Sequence, residues 1–164
     1  MRTLILVLVI IVGGFWFYAN GKKISESEIN KHYAVMAQAI VNMDTETQCN
    51  NMAPGFVGTM SATVQGKVYE STMDRQQTCD LIKDNKEKLT RLAERLGRQI
   101  PINYNVDVRD VSISADHKGA TVKTHYTFAT GPMKMNGDSI ETLIKLDGKL
   151  YVTRSENATT MSVP

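Results

Sequence analysis

Histidine and cysteine are scarce in this chain of 164 residues, with three of the first and two of the second. His32, His117 and His125 share no helical i,i+4 spacing, and Cys49 and Cys79 stand alone rather than in a C-x-x-C pair, so no metal site can be read. No motif implies a cofactor or a catalytic centre. Unbalanced charge is lacking too: 19 Lys and Arg face 17 Asp and Glu, a formal net charge of +2. Arg2, Lys22 and Lys23 sit in or beside the first apolar segment, so the remainder is close to neutral. That argues against a nucleic-acid partner, which needs a clustered basic face. The densest basic run, Lys83 to Arg98, is interleaved with Asp84, Glu87 and Glu94 and reads as a solvated helix face. Internal repeats and low-complexity linkers are absent as well.

What is present begins at the N-terminus. From Leu4 to Ala19 there is neither a charge nor a strongly polar side chain. A helix over residues 3–19 reaches about 25 Å, a little short of the ~30 Å hydrocarbon core. Bulky Phe15, Trp16, Phe17 and Tyr18 crowd the position where a signal peptidase needs small residues, and no cysteine follows for lipid attachment. Trp16 and Tyr18 followed by Lys22 and Lys23 fit an interfacial belt. The reading is a retained single-pass anchor over residues 1–23, contacting the membrane through residues 3–19, ahead of one domain over residues 24–164, a removed signal peptide being the alternative. Charge does not settle the orientation, because Arg2 and the Lys22–Lys23 pair pull opposite ways. A Cys49–Cys79 bridge fits an oxidising compartment, two buried thiols in a cytosolic domain being the alternative. Anchor and cysteine pair together point to a bacterial inner membrane with the C-terminal domain in the periplasm.

Periodicity organises the rest. Ser25-Glu-Ser-Glu28 is a capping box, and Ile29, Tyr33, Met36, Ile40 and Met43 form the buried stripe of a helix ending near Asp44. Thr45 to Pro54 is too polar and broken for a strand. Phe56–Val64 and Lys67–Met73 read as a hairpin about Gln65-Gly66. Asp74-Arg-Gln-Gln77 caps a second helix, striped by Cys79, Ile82, Leu89, Leu92, Ala93 and Leu96 and stopped at Gly97. From Ile102 the pattern has period two, with a phase slip near Arg109-Asp110 that a β-bulge would absorb. Asp116–Gly119 is a turn, Gly131–Gly137 a loop, and Asp147-Gly148 the strongest hairpin signal. Helices on one face of a curved, mostly antiparallel sheet make an α+β domain.

This order, closing on Ile140-Glu-Thr-Leu-Ile-Lys-Leu-Asp-Gly-Lys-Leu-Tyr-Val-Thr-Arg-Ser-Glu156, resembles the nuclear-transport-factor-2-like, or cystatin-like cone, superfamily over roughly residues 25–160. The resemblance implies two main helices packed on a curved sheet, with any acids and bases inside the cone. His32, Tyr33, Tyr104, Asp107, Asp110, His125, Glu141 and Arg154 are then the candidates. Most of the polar ones face outward by periodicity, which leaves Tyr33, Tyr104 and Tyr126, with Met36, as a ligand cavity. Met133, Met135 and Met161 suit a flexible Met-rich binding loop better than a copper site, and plain loop filler better still. The expected function is a non-enzymatic, membrane-anchored domain exposed to the periplasm that binds a protein partner or associates with itself. A small-molecule-binding or isomerase-like cone is one alternative, and a membrane-tethered immunity or inhibitor protein another.

Overall fold

A computed structural model describes residues 23–162. The apolar run at 3–19 lies outside them, and among the described residues no helix is long and apolar enough to cross a membrane. The domain is anchored locally from its first residues. Ile24 is buried and its amide donates to the carbonyl of His117.

Helix α1 spans Glu26–Val41, with Ser25 and Glu28 satisfying each other's backbone amides in the expected capping box. It ends earlier than the stripe suggested. The polar stretch after it is not all loop: Asp44 caps a short helix α2, Thr45–Asn50. Strand β1 then starts at Met52 and runs to Val64. Gln65 and Gly66, both left-handed at φ 50° and 79°, turn the chain into β2, Lys67–Asp74. Helix α3, Arg75–Leu96, carries the second capping box and stops at left-handed Gly97. Four strands follow: β3 Ile102–Ile113, β4 Gly119–Thr130, β5 Met133–Leu146 and β6 Lys149–Ser162. The bulge falls between Val108 and Asp110, and Asp147-Gly148 forms the β5–β6 turn. The segment expected as a loop over Gly131–Gly137 is mostly strand, because Met133 already pairs with Thr130.

The sheet order is β2-β1-β6-β5-β4-β3, antiparallel throughout except for the parallel β1–β6 pair. The two long helices, α1 and α3, cover the concave face, where Ile29, Tyr33, Phe56, Cys79, Val122, Leu143 and Val152 make the core. Cys49 on α2 and Cys79 on α3 are joined by a disulfide, with Cα atoms 5.5 Å apart. Arg75 reinforces this corner by donating to the carbonyls of Met52 and Cys49.

Helix α3 leaves β2 at one edge of the sheet and must deliver the chain to β3 at the other. Five strand spacings come to roughly 24 Å, and a helix of 22 residues reaches about 33 Å, so the helix can bridge the cone. It packs on β1, β2 and α2. Its second half therefore has little beneath it, and Leu92 and Leu96 stay 45% and 51% exposed. The concave face is correspondingly left half open, with Met60, Tyr104, Phe128, Met135 and Met161 only partly buried.

Candidate functional site

Strand register decides what lines the concave wall. Val106, Tyr126, Gly137, Thr159 and Ala62 lie in one cross-strand row. Val108, Thr124, Ser139, Asn157 and Met60 form the next, and Val111, Val122, Glu141, Ser155 and Gly58 the one after. The centre of the wall is thus polar where β5 and β6 cross it, with apolar β3 and β4 beside it.

The phase of β5 is the main surprise. Apolar Ile140 points to solvent, 43% exposed, while Glu141, Leu143 and Lys145 turn inward. Lys145 is 5% exposed; its Nζ donates to Glu28 Oε1 at 2.6 Å and to the carbonyl of Lys23 at 2.8 Å, which ties β5 to the start of α1. Desolvation works to raise the Glu28 carboxyl, but the Lys145 contact and the Ser25 hydrogen bonds outweigh it and hold it below the usual range.

Glu141 sits beneath α1, partly accessible to water yet surrounded by protein atoms. The Tyr33 hydroxyl donates to its Oε2 at 2.6 Å and the Ser155 hydroxyl to its Oε1 at 3.2 Å. Asn157 Nδ2 donates in turn to Ser155 Oγ at 2.9 Å. Desolvation pushes the Glu141 carboxyl above its ordinary value, against those two hydrogen bonds. Burial, the charge of Glu141 and the hydrogen bond to it push the Tyr33 phenol up. Burial and the same carboxylate, with Tyr126, do so for Tyr104. The rings of Tyr104 and Tyr126 lie 6.2 Å apart, tilted by 30°. Tyr126 is raised mainly by desolvation and reaches across β5 to pair its hydroxyl with Thr159. Gly137 makes that crossing possible, because a Cβ there would stand 2.8 Å from the Tyr126 hydroxyl and 2.5 Å from the carbonyl of Ala158.

Tyr104 also lines an open cavity of about 550 Å³ beside the end of α1, together with Val41, Ile102, Phe128 and Met135. That volume lies within the range of small-molecule sites. Behind the polar row, the buried hydroxyl of Ser139 has no protein partner among the described residues. A carboxylate accepting two hydrogen bonds keeps lone pairs for a third donor, although Glu141, Ser139 and Asn157 lie beyond the residues that line the cavity.

The structure brings Tyr33, Tyr104 and Tyr126 together with Glu141, which period-two reading had not kept among the cavity residues. Met36 is elsewhere: it lines a separate groove of about 590 Å³ with His32, Asn50 and Tyr151, bounded by α2 and the β5–β6 turn. His32 borders that groove with a buried Nε2 that has no partner among the described residues, and desolvation lowers its pKa to about 4. Asp107, Asp110, His125 and Arg154 lie on the convex face, where His125 Nδ1 meets Asp138 at 2.8 Å. Met135 and Met161 are cross-strand partners rather than loop residues. Among the described residues no group of His, Cys, Asp and Glu is arranged to hold a metal ion.

No protein-family model matches the sequence, and no curated protein resembles it in sequence. Solved structures do resemble it in fold. A conserved protein from Planctomyces limnophilus superposes with a TM-score of 0.63 at 12% identity, over 84% of this chain and 97% of its own. A protein classed as scytalone dehydratase-like from Novosphingobium aromaticivorans gives 0.61 at 13%, over 84% and 86%. An NTF2-like protein of unknown function from Shewanella oneidensis gives 0.58 at 13%, over 80% and 97%. At such identities the likeness speaks to fold alone, and the fold is that of the nuclear-transport-factor-2-like proteins.

Proposed function

We propose that this NTF2-like domain binds a small molecule in its cone and does so without turning it over, held at the periplasmic face of a bacterial inner membrane by residues 3–19. The observation that carries the reading is the position of Tyr104, whose ring lines the 550 Å³ cavity while its phenol feels the charge of Glu141. Aromatic and thioether walls, Tyr104, Phe128 and Met135, suit a flat or flexible apolar body. Beyond that lining, Glu141 keeps lone pairs for a head group that donates hydrogen bonds. The absence of turnover rests on proton handling. Glu141 can itself hold a proton, but no histidine stands beside it as a relay to pass one on, the described histidines occupying the groove behind α1, the β3–β4 turn and the convex face. The tether is supported by the apolar run and by the Cys49–Cys79 disulfide, which suits an oxidising compartment.

The test is a thermal-shift and calorimetric screen of the detergent-solubilised full chain against small aromatic and short-acyl amphiphiles. Saturable binding weakened about tenfold or more by Tyr104→Ala, with no chemical change in the recovered ligand, is expected. Binding insensitive to Tyr104→Ala and to Glu141→Gln would refute the site, and product formation would refute the absence of turnover. The reading as a protein-binding or self-associating domain retains one specific observation, the exposure of Val68 and Tyr69 on β2 at the edge of the sheet.

A further inference from the structure

The strands of the cone begin and end on two very different surfaces. At one end Ile113 pairs with Ala120, Gly119 with Ile144 and Leu146 with Lys149. The domain starts here, and the chain is clamped as far as Lys23. Lys145 Nζ donates to the Lys23 carbonyl and to Glu28, and buried Ile24 donates its amide to His117 in the β3–β4 turn. At the other end Ile102 pairs with Thr130 and Lys134 with Ser162, and the 550 Å³ cavity lies among these residues and Val41, where α1 ends. The 12 residues of β4 separate the two ends by about 36 Å along the strand. Asn20, Gly21 and Lys22 are all that separates the apolar run from Lys23, a reach of at most about 14 Å from Ala19.

Resting on the anchor and the ligand cavity inferred above, we propose that the cone stands on the bilayer by its tether end, and that the cavity draws its ligand from the aqueous side and not from lipid. The tether end is electrically balanced. Lys23, Lys118, Lys145 and Lys149 stand with Glu26, Glu28, Asp116 and Asp147, and Leu146 is 45% exposed at the β5–β6 turn. Lipid phosphates neither attract nor repel such an end strongly, so the short tether sets its place. The long faces are charged and hydrated instead. Asp107 with Arg109, Asp110 with Lys123 and Arg154 with Glu156 lie on the convex face, and Asp84 with Lys88 and Glu87 with Arg91 lie on α3. The cavity itself is polar at its rim, where Asn103, Asn105, Lys134 and Asn136 line it beside Tyr104 and Phe128. An acyl chain drawn from lipid would leave those amides unpaired. A water-soluble aromatic bearing its own hydrogen-bonding groups would satisfy them, and that is the class of ligand assigned to the site.

The full chain in phosphatidylcholine vesicles with a nitroxide on the lipid headgroup tests this, since Trp16 is the chain's single tryptophan. Quenching of Trp16 in the unaltered chain reports the anchor. In a Trp16→Phe background, Leu146→Trp marks the tether end, while Leu92→Trp and Pro132→Trp mark the far end on its helix and sheet sides, all three at exposed positions. The nitroxide should quench the Leu146→Trp chain and leave the other two unaffected. Dansylglycine, a soluble aromatic with a sulfonamide N–H and a carboxylate, should accept energy saturably from the Pro132→Trp chain, and Tyr104→Ala should weaken that binding about tenfold or more. Quenching of Leu92→Trp or Pro132→Trp as strong as that of Leu146→Trp would mean a cone lying flat with its cavity at the lipid, and would overturn the proposal. An unquenched Leu146→Trp beside a quenched Trp16 would overturn it too. An unquenched Trp16 would instead overturn the anchor, and dansylglycine transfer that is absent or indifferent to Tyr104→Ala would overturn the cavity, each taking the proposal with it.

Discussion

Replacing Tyr33 by phenylalanine removes one oxygen from the Tyr33–Glu141 pair and leaves the ring to fill its site beneath α1. The lost hydrogen bond is short, 2.6 Å, and runs to a carboxylate partly withdrawn from water. Bonds of this kind contribute about 1.5–3 kcal/mol, so Tyr33→Phe should cost ~2 kcal/mol at neutral pH. In a Glu141→Leu background the same change should cost almost nothing, since the phenol has then lost its acceptor, and the double-mutant cycle should return a coupling of about 2 kcal/mol. The cost should also depend on pH. Because the folded chain holds the Glu141 proton more tightly than the unfolded chain does, this group favours folding at acid pH and loses that advantage as pH rises through its folded pKa. Deleting Tyr33's hydroxyl removes a hydrogen bond that lowers that pKa, so the decline should become deeper and extend to higher pH. Urea unfolding followed by circular dichroism across the acid-to-neutral range measures both effects. A cost below ~0.5 kcal/mol at neutral pH, or a coupling near zero, would refute the buried Tyr–Glu pair as an energetic unit.

Three further outcomes are expected. Reducing the Cys49–Cys79 bridge, which closes a loop of 30 residues, should lower stability by about 3–4 kcal/mol in the chain-entropy account, read as a fall in urea midpoint; an unchanged midpoint in dithiothreitol would count against it. His32, with its pKa lowered to about 4 from 6.5, stays neutral when folded but protonates when unfolded, so stability should fall on acidification between those values by up to about 3 kcal/mol. His32→Leu should flatten that part of the profile. Gly137→Ala should cost roughly 1–3 kcal/mol by overpacking, because a Cβ meets a β6 carbonyl at 2.5 Å that cannot move without breaking the ladder; loss of the Tyr126–Thr159 contact should be visible in the Tyr126 ring resonances.

Much of the architecture was legible because its signals are local. Both capping boxes, left-handed Gly97, the bulge at Arg109-Asp110 and the Asp147-Gly148 turn are set by side chains within a few residues of the backbone they control. Helix α2 escaped because six residues are too few for a stripe, although Asp44 followed by Thr45 and Glu46 was a capping signal in plain view. The start of β5 was hidden by Gly137 and by polar Lys134 and Asn136, which sit on the convex face. Glu141 escaped for a deeper reason. Period two assigns faces by majority, and the apolar choice at Ile140, Thr142 and Ile144 is the wrong face; inward phase follows from pairing with Val122 on one side and Ser155 on the other.

The sequence alone therefore determined the two main helices, most of the strands and turns, and their α+β order, since each of these follows from short-range sterics and hydrogen bonding. Only the tertiary structure decided which side of β5 faces inward, that β1 lies parallel to β6, and that Tyr33, separated by 108 residues from Glu141, meets its carboxylate. A buried carboxylate is tolerable only where donors converge on it, and the donors here arrive from a helix and a neighbouring strand that no local pattern brings together.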